Sequence, residues 1–231
     1  MLRILHQNRT GAPYPTDTST PLIYIVDDDV SVRESLEGLI HSCGWRAETH
    51  GCAASFLARP RPDVPTCLIL DLKLPDLCGL DLQGMICGKC DAMPIIFITG
   101  VDDVTAAVCA MKAGAREYLL KPLPDDRLLL AIEDCIELSR NQLARRLELS
   151  TMSERYQLLS PRERQVMSLV CAGWLNKQVA FELGISEITV KAHRGQMMRK
   201  MNAHSVPELV VTAARLGILD TGPLVSLSDL H

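Results

Sequence analysis

Two hydrophobic patterns alternate along the first part of the chain. Leu22–Val26 (LIYIV), Thr66–Leu70 (TCLIL) and Pro94–Ile98 (PIIFI) are almost continuously apolar, the signature of strands covered on both faces. Between them apolar residues recur every three or four positions, as in Val32, Leu36, Leu39 and Ile40, the period of a helix with one buried stripe. Weaker strands fall near Arg46–Thr49 and Arg116–Leu119, so five β–α units are complete by Leu138. Strands of this kind separated by helices predict a doubly wound α/β domain, a parallel five-stranded sheet with helices on both sides. Its last helix is expected to open after Lys121-Pro-Leu-Pro with Asp125 as cap, burying positions 128, 129, 132 and 136.

The pattern then becomes wholly helical. Residues 139–157 are rich in charge and contain neither Gly nor Pro, which predicts a helical linker. Beyond Leu158, Ser160-Pro161-Arg162-Glu163 combines a capping serine, a first-turn proline and a first-turn acid. A second helix over Asn176–Leu183 is expected to stop at Gly184, and Ser186 to cap a longer one reaching about Met201. Ala180 allows close helix approach, and Ile185 and Val190 pack the pair together, which is the pattern of a helix-turn-helix. The expected organisation is a flexible arm over 1–20, the α/β domain over 21–138, the linker over 139–157, an all-α domain over 158–218 and a tail over 219–231.

Charge divides along the same line. Residues 20–138 carry 10 Lys/Arg against 19 Asp/Glu, and residues 139–231 carry 12 against 8, beneath a net charge of −4. The basic half is the candidate for a polyanionic partner. No apolar run approaches the roughly 18 residues of a membrane span and MLRILHQNRT has no signal-peptide core, so a cytoplasmic protein is expected. Of nine cysteines, Cys67, Cys109, Cys135 and Cys171 sit in apolar segments and read as reduced thiols. Cys87-Gly-Lys-Cys90 is the exception, but a single CxxC without a second ligand pair is a weak zinc signal, and free thiols are the expectation.

Ligands of an open parallel sheet bind beyond the carboxyl ends of its strands. There the runs end in Asp27, Asp28 and Asp29, in Asp71, in Thr99 and in Lys121. Each alone reads as a cap or a solvated strand end, but their joint occurrence points to a site. Clustered carboxylates repel one another and favour a hard divalent cation, Mg²⁺ by preference. With Lys121 to neutralise phosphoryl oxygens and Thr99 to donate a hydrogen bond, Asp71 is the candidate nucleophile toward phosphorus. In the basic half, residues 160–202 hold 7 Lys/Arg against 3 Asp/Glu. Thr189, Lys191, His193 and Arg194 are expected to face outward for DNA, followed by Arg199 and Lys200, although a solvated basic face alone has the same composition.

These motifs carry a family resemblance. VDDD after the first strand, Asp71 followed by LKLPDLCGLDL, FITG with Thr99 and AMKAGAREYLLKP with Lys121 together resemble the receiver domain of response regulators. The stretch from Leu159 to Met201, with its Ser-Pro-Arg-Glu opening and Thr-Val-Lys-x-His helix, resembles the four-helix LuxR-type DNA-binding domain. Together they resemble the FixJ/NarL response regulators, nearer FixJ in VDDD-VSVRESL and FITG. The resemblance implies Asp71 as phosphoacceptor and Asp28 as direct metal ligand. It adds Asp27 as a water-mediated ligand, the Lys73 main-chain carbonyl as a further one, Tyr118 as switch aromatic and a cis Lys121–Pro122 bond. It implies a sensor histidine kinase as donor, a homodimer on phosphorylation, promoter DNA and RNA polymerase as partners, and no turnover beyond slow self-dephosphorylation.

Two other readings compete. Asp27-Asp28-Asp29-Val30-Ser31 superficially fits the nucleophile motif of haloacid-dehalogenase phosphatases, with Thr99, Lys121 and the pair Asp125-Asp126 completing the set. That pair follows Pro-Leu-Pro into a helix rather than an apolar strand, and Asp71 is left without a role. A redox-responsive DNA-binding regulator would instead use Cys87 and Cys90. Neither accounts for both halves of the chain.

Overall fold

The computed structural model describes residues 20–87 and 93–218. The first unit contains β1 (Leu22–Val26), α1 (Val30–Ser42), β2 (Arg46–His50), α2 (Ala53–Leu57), β3 (Thr66–Asp71), α3 (Gly79–Cys87), β4 (Ile95–Thr99), α4 (Val104–Lys112) and β5 (Glu117–Leu120). All strand pairs are parallel, in the order β2-β1-β3-β4-β5. The direction of winding reverses between β1 and β3, and in such sheets that switch point opens a crevice at the carboxyl edge.

Alternation along the strands sorts the core into two layers. Tyr24, Val26, Leu68, Leu70 and Phe97 face one side, against Phe56, Leu82, Ile86 and Ala110 from α2, α3 and α4. Ile23, Ile25, Ile69, Ile96 and Ile98 face the other, where Leu36 and Ile40 of α1 meet Leu128, Ile132, Cys135 and Ile136. The last four belong to α5 (Asp125–Gln157). Each fully buried aliphatic side chain contributes roughly 1.5–3 kcal/mol relative to exposure, so the continuous apolar runs hold the sheet and its helices together.

Helix α5 begins at Asp125 itself, because the Pro124 carbonyl already accepts from Leu128 N–H. Asp125 therefore lies in the first turn instead of capping it. Strands β2 and β5 each end one residue later than their sequence patterns suggest, at His50 and Leu120. The buried Ser139 hydroxyl accepts from Thr66 N–H at 2.9 Å, tying α5 to the start of β3. The two compact units of the chain divide between Leu143 and Ala144, inside this helix.

The second unit adds α6 (Pro161–Cys171), α7 (Asn176–Leu183), α8 (Glu187–Met201) and α9 (Val206–Arg215). Ser160 and Glu163 form a reciprocal capping box at α6, Gly184 ends α7 with φ 65°, and Ser186 caps α8 through Thr189 N–H. Val166, Met167, Val179, Val190, Met197, Met201 and Leu209 form its core. Among the described residues no helix is long and apolar enough to cross a membrane.

Candidate functional site

Three carboxylates meet at the carboxyl edge of β1 and β3. Asp27 is fully buried, Asp71 nearly so and Asp28 exposed, and each offers an oxygen within 4.8 Å of the others. Lys121 reaches them from beyond β5, its Nζ 2.6 Å from Asp27 Oδ2 and 2.7 Å from Asp71 Oδ2. The opposite oxygens are held by main-chain donors, Asp29 N–H on Asp27 Oδ1 at 2.9 Å and Lys73 N–H on Asp71 Oδ1 at 3.1 Å. Burial pushes the Asp27 carboxyl above the usual carboxylate range, against the pull of Lys121 and Asp29 N–H. Burial also works against the charge on Lys121, but the two carboxylates outweigh it and hold its pKa above the ordinary lysine value.

Asp29 faces away from this cluster in function: it caps α1, accepting from Ser31 N–H and Oγ at 2.8 and 2.7 Å. Thr99 ends β4 fully buried, its hydroxyl accepting from Val101 N–H at 3.2 Å. Its carbonyl accepts from Lys121 N–H at 2.7 Å, which fixes the strand end that delivers the lysine. The Lys121–Pro122 bond is cis. Tyr118 is half-buried beside Phe97, ring centroids 6.3 Å apart. Its hydroxyl, buried near Thr99, has no hydrogen-bond partner in adequate geometry. Burial raises its pKa, and Asp103, Asp102 and Asp71 add to the rise. Oxygen donors only, three of them anionic and one open to solvent, fit a hard divalent cation such as Mg²⁺.

Several contributors escaped the sequence pattern. Arg33 of α1 donates to the Asp27 carbonyl at 2.6 Å, buttressing the end of β1. Gly79 opens α3 so close to β3 that an added Cβ would stand 2.5 Å from the Asp71 carbonyl oxygen. Asp76, between β3 and α3, accepts from Ala53 and Ala54 N–H at 3.1 and 2.8 Å and so caps α2 from another loop. Only a glycine ahead of an apolar helical segment hinted at any of these. Asp125 and Asp126 are not part of the carboxylate group. Cys87 ends α3, and Cys90 lies outside the described residues.

In the second unit the six expected DNA-facing residues separate. Lys191 and Arg199 are exposed, whereas Thr189, His193 and Arg194 are half-buried. Successive helical residues are about 100° apart, so 189, 191, 193 and 194 cannot share one outward face. Arg194 donates to Asn176 Oδ1 at 2.9 Å, bracing α8 against α7. Lys200 pairs with the buried Glu163 carboxylate at 2.7 Å. Burial would raise the Glu163 pKa, but Lys200 and the Ser160 donors prevail and hold it below the usual range.

Both units match known protein families. Residues 23–133 match the model of the response regulator receiver domain, and residues 157–213 that of bacterial regulatory proteins of the luxR family. Nodulation protein W of Bradyrhizobium diazoefficiens is 43% identical over 204 residues, covering 88% of this chain and 90% of that protein. The transcriptional regulatory protein FixJ of Rhizobium meliloti is 41% identical over 189 residues, covering 81% and 92%. The solved structure of the response regulator StyR superposes with a TM-score of 0.77 at 41% identity, covering 85% of this chain and all of that one (100%). An acidic crevice at the sheet edge of the first unit, a helix-turn-helix in the second and relatives matched across both halves make this chain a transcriptional response regulator of the FixJ/LuxR family.

Proposed function

We propose that the chain is switched by an aspartyl phosphate at Asp71. A sensor histidine kinase presents a phosphohistidine, an Asp71 carboxylate oxygen attacks phosphorus in line, the imidazole N–P bond breaks, and a mixed anhydride forms. Lys121 neutralises the incoming phosphoryl oxygens and the Thr99 hydroxyl donates to one of them. Asp27, Asp28, Asp71 and the Lys73 carbonyl would hold Mg²⁺, which supplies positive charge among the carboxylates. The observation that carries this reading is Lys121 Nζ 2.7 Å from Asp71 Oδ2, beside carboxylates that each offer an oxygen within 4.8 Å of the others.

Phosphorylation draws Thr99 toward the new oxygens and lets Tyr118 repack, remodelling the α4–β5–α5 face. That face carries an apolar depression of about 410 Å³ lined by Val104, Val108, Met111, Tyr118 and Leu120, the first three and Leu120 being well exposed. A second copy covers it in the phosphorylated homodimer. The labour is divided between a phosphoacceptor half over 21–138 and a DNA-binding half over 158–218, joined by 139–157. The second half binds promoter DNA through Lys191 and Arg199, with Thr189 and His193 beside them and Arg194 and Lys200 at the margin, and presents the complex to RNA polymerase. The protein works in the cytoplasm and turns over no substrate beyond losing its own phosphoryl group.

The test is intact mass after incubation with Mg²⁺ and acetyl phosphate. One phosphoryl adduct in the parent and none in Asp71→Asn is expected. An adduct that survives in the variant moves the acceptor elsewhere, and no adduct in either leaves the crevice unphosphorylated and the reading wrong.

A further inference from the structure

Helix α8 presents one row to solvent. Val190, Met197 and Met201 are buried on its inner side, and at about 100° per residue the opposite side carries Ile188, Ala192, Gly195 and Arg199. All four are exposed, Ile188 at 80%. Lys191 and Gln196 flank the row on either side, exposed as well. Thr189 and His193 lie half-buried on a shoulder, and Arg194 is held by Asn176. No carboxylate interrupts the row, and the surrounding segment from 160 to 202 carries 7 cations against 3 acids, so the occupant it complements is the major groove of duplex DNA.

Within a groove, side-chain chemistry decides what is read. An exposed aliphatic chain at the amino-terminal turn suits the methyl group of thymine, and a carboxamide two turns later suits the paired donor and acceptor of adenine. A cation beside them that contacts only phosphate fixes register without carrying sequence information of its own. Gly195 and Ala192 leave the centre of the row low, so that Ile188 and the flanking Gln196, both exposed, are unobstructed toward the base edges. These two positions are roughly 12 Å apart along the axis at about 1.5 Å per residue, a span of three to four base pairs at about 3.4 Å each.

Resting on the DNA-binding reading above, we propose that Ile188 and Gln196 are the specificity-determining residues of α8, selecting a thymine and, three to four base pairs away, an adenine.

The probe is a random-sequence duplex library offered to the full chain after treatment with Mg²⁺ and acetyl phosphate, with parent, Ile188→Ala and Gln196→Ala compared. Both side chains are exposed and leave the core untouched. The parent should select a motif containing T and A at that spacing. Gln196→Ala should lose preference at the A alone, by roughly tenfold, and Ile188→Ala at the T alone, while affinity for unselected DNA is unchanged in both. An unaltered motif in both variants overturns the assignment and leaves DNA binding standing. No selected motif in the parent overturns sequence reading by this helix, and the assignment with it.

Discussion

Lys200 Nζ stands 2.7 Å from Glu163 Oε2, linking the end of α8 to the first turn of α6. The contact gives Lys200 work inside the domain, as the bond to Asn176 does for Arg194. Lys200→Met leaves a buried carboxylate without its cation, and because the lysine is partly exposed the cost should be about 1–2 kcal/mol, below that of a fully buried pair. Lys191→Met should change stability by less than about 0.5 kcal/mol but lower affinity for all DNA and reduce the salt slope of binding by about 1. Denaturant titration and salt-dependent binding on the same two variants separate the roles. Equal loss of salt slope in both would return Lys200 to the DNA-contacting set.

The same pair predicts a pH dependence. Glu163 is held below its ordinary carboxylate pKa in the folded domain despite its burial, because Lys200 and the Ser160 donors outweigh that burial. A group depressed on folding stabilises the fold above its unfolded pKa of about 4.5 and loses that contribution as pH falls through the lower folded value. Stability of the second unit should therefore fall as pH drops from about 5 toward 3. Glu163→Gln should start less stable near neutrality and fall less steeply. Trp174 fluorescence in a Trp45→Phe background reports on this unit, and parallel pH profiles for parent and variant would contradict the assignment.

Gly79 bears on Asp71 through shape. Its added Cβ would meet the Asp71 carbonyl oxygen at 2.5 Å, and Leu72 Cα and the Phe97 ring at 3.0 Å. Two of those neighbours are backbone atoms and cannot swing aside, so β3 must shift. Gly79→Ala should destabilise the first unit by about 1–3 kcal/mol and slow acetyl phosphate labelling on the order of 10- to 100-fold. Gly84→Ala in the same helix has open space around it and should cost nothing measurable. Normal labelling of Gly79→Ala would mean that the Asp71 backbone tolerates displacement.

What could be read from sequence follows from range. Strands β1, β3 and β4 announce themselves because burial on both faces leaves an apolar run, and the Ser160 and Ser186 caps act within three residues. The short helix α2 hides because its cap, Asp76, lies more than 20 residues away in another loop. Asp71, Thr99 and Lys121 were legible as strand-end chemistry, and the resemblance gave them roles, but nothing local says that Lys121 touches Asp27 across 94 residues. The same limit explains Arg194 and Lys200. A basic residue on a helix reads as available until Asn176 or Glu163, many residues upstream, is found beside it.

Tyr118 offers a test of how the crevice is poised before phosphorylation. A buried hydroxyl without a partner costs about 1–3 kcal/mol relative to a satisfied one, and the Tyr118 hydroxyl is in that position. The ring itself packs on the core layer that holds Phe97, so Phe preserves the packing and removes only the oxygen. Tyr118→Phe should match or exceed the parent in thermal stability, by up to about 2–4 °C for each kcal/mol gained. It should still form the Asp71 adduct, because the hydroxyl touches neither Asp71 nor Lys121 through a hydrogen bond. If the phosphorylated homodimer depends on Tyr118 repacking, sedimentation of the labelled variant should show an altered monomer–dimer balance at unaltered labelling. A clear drop in melting temperature would instead mean that the hydroxyl already bonds Thr99 in the resting fold, and that switching has to break that bond first.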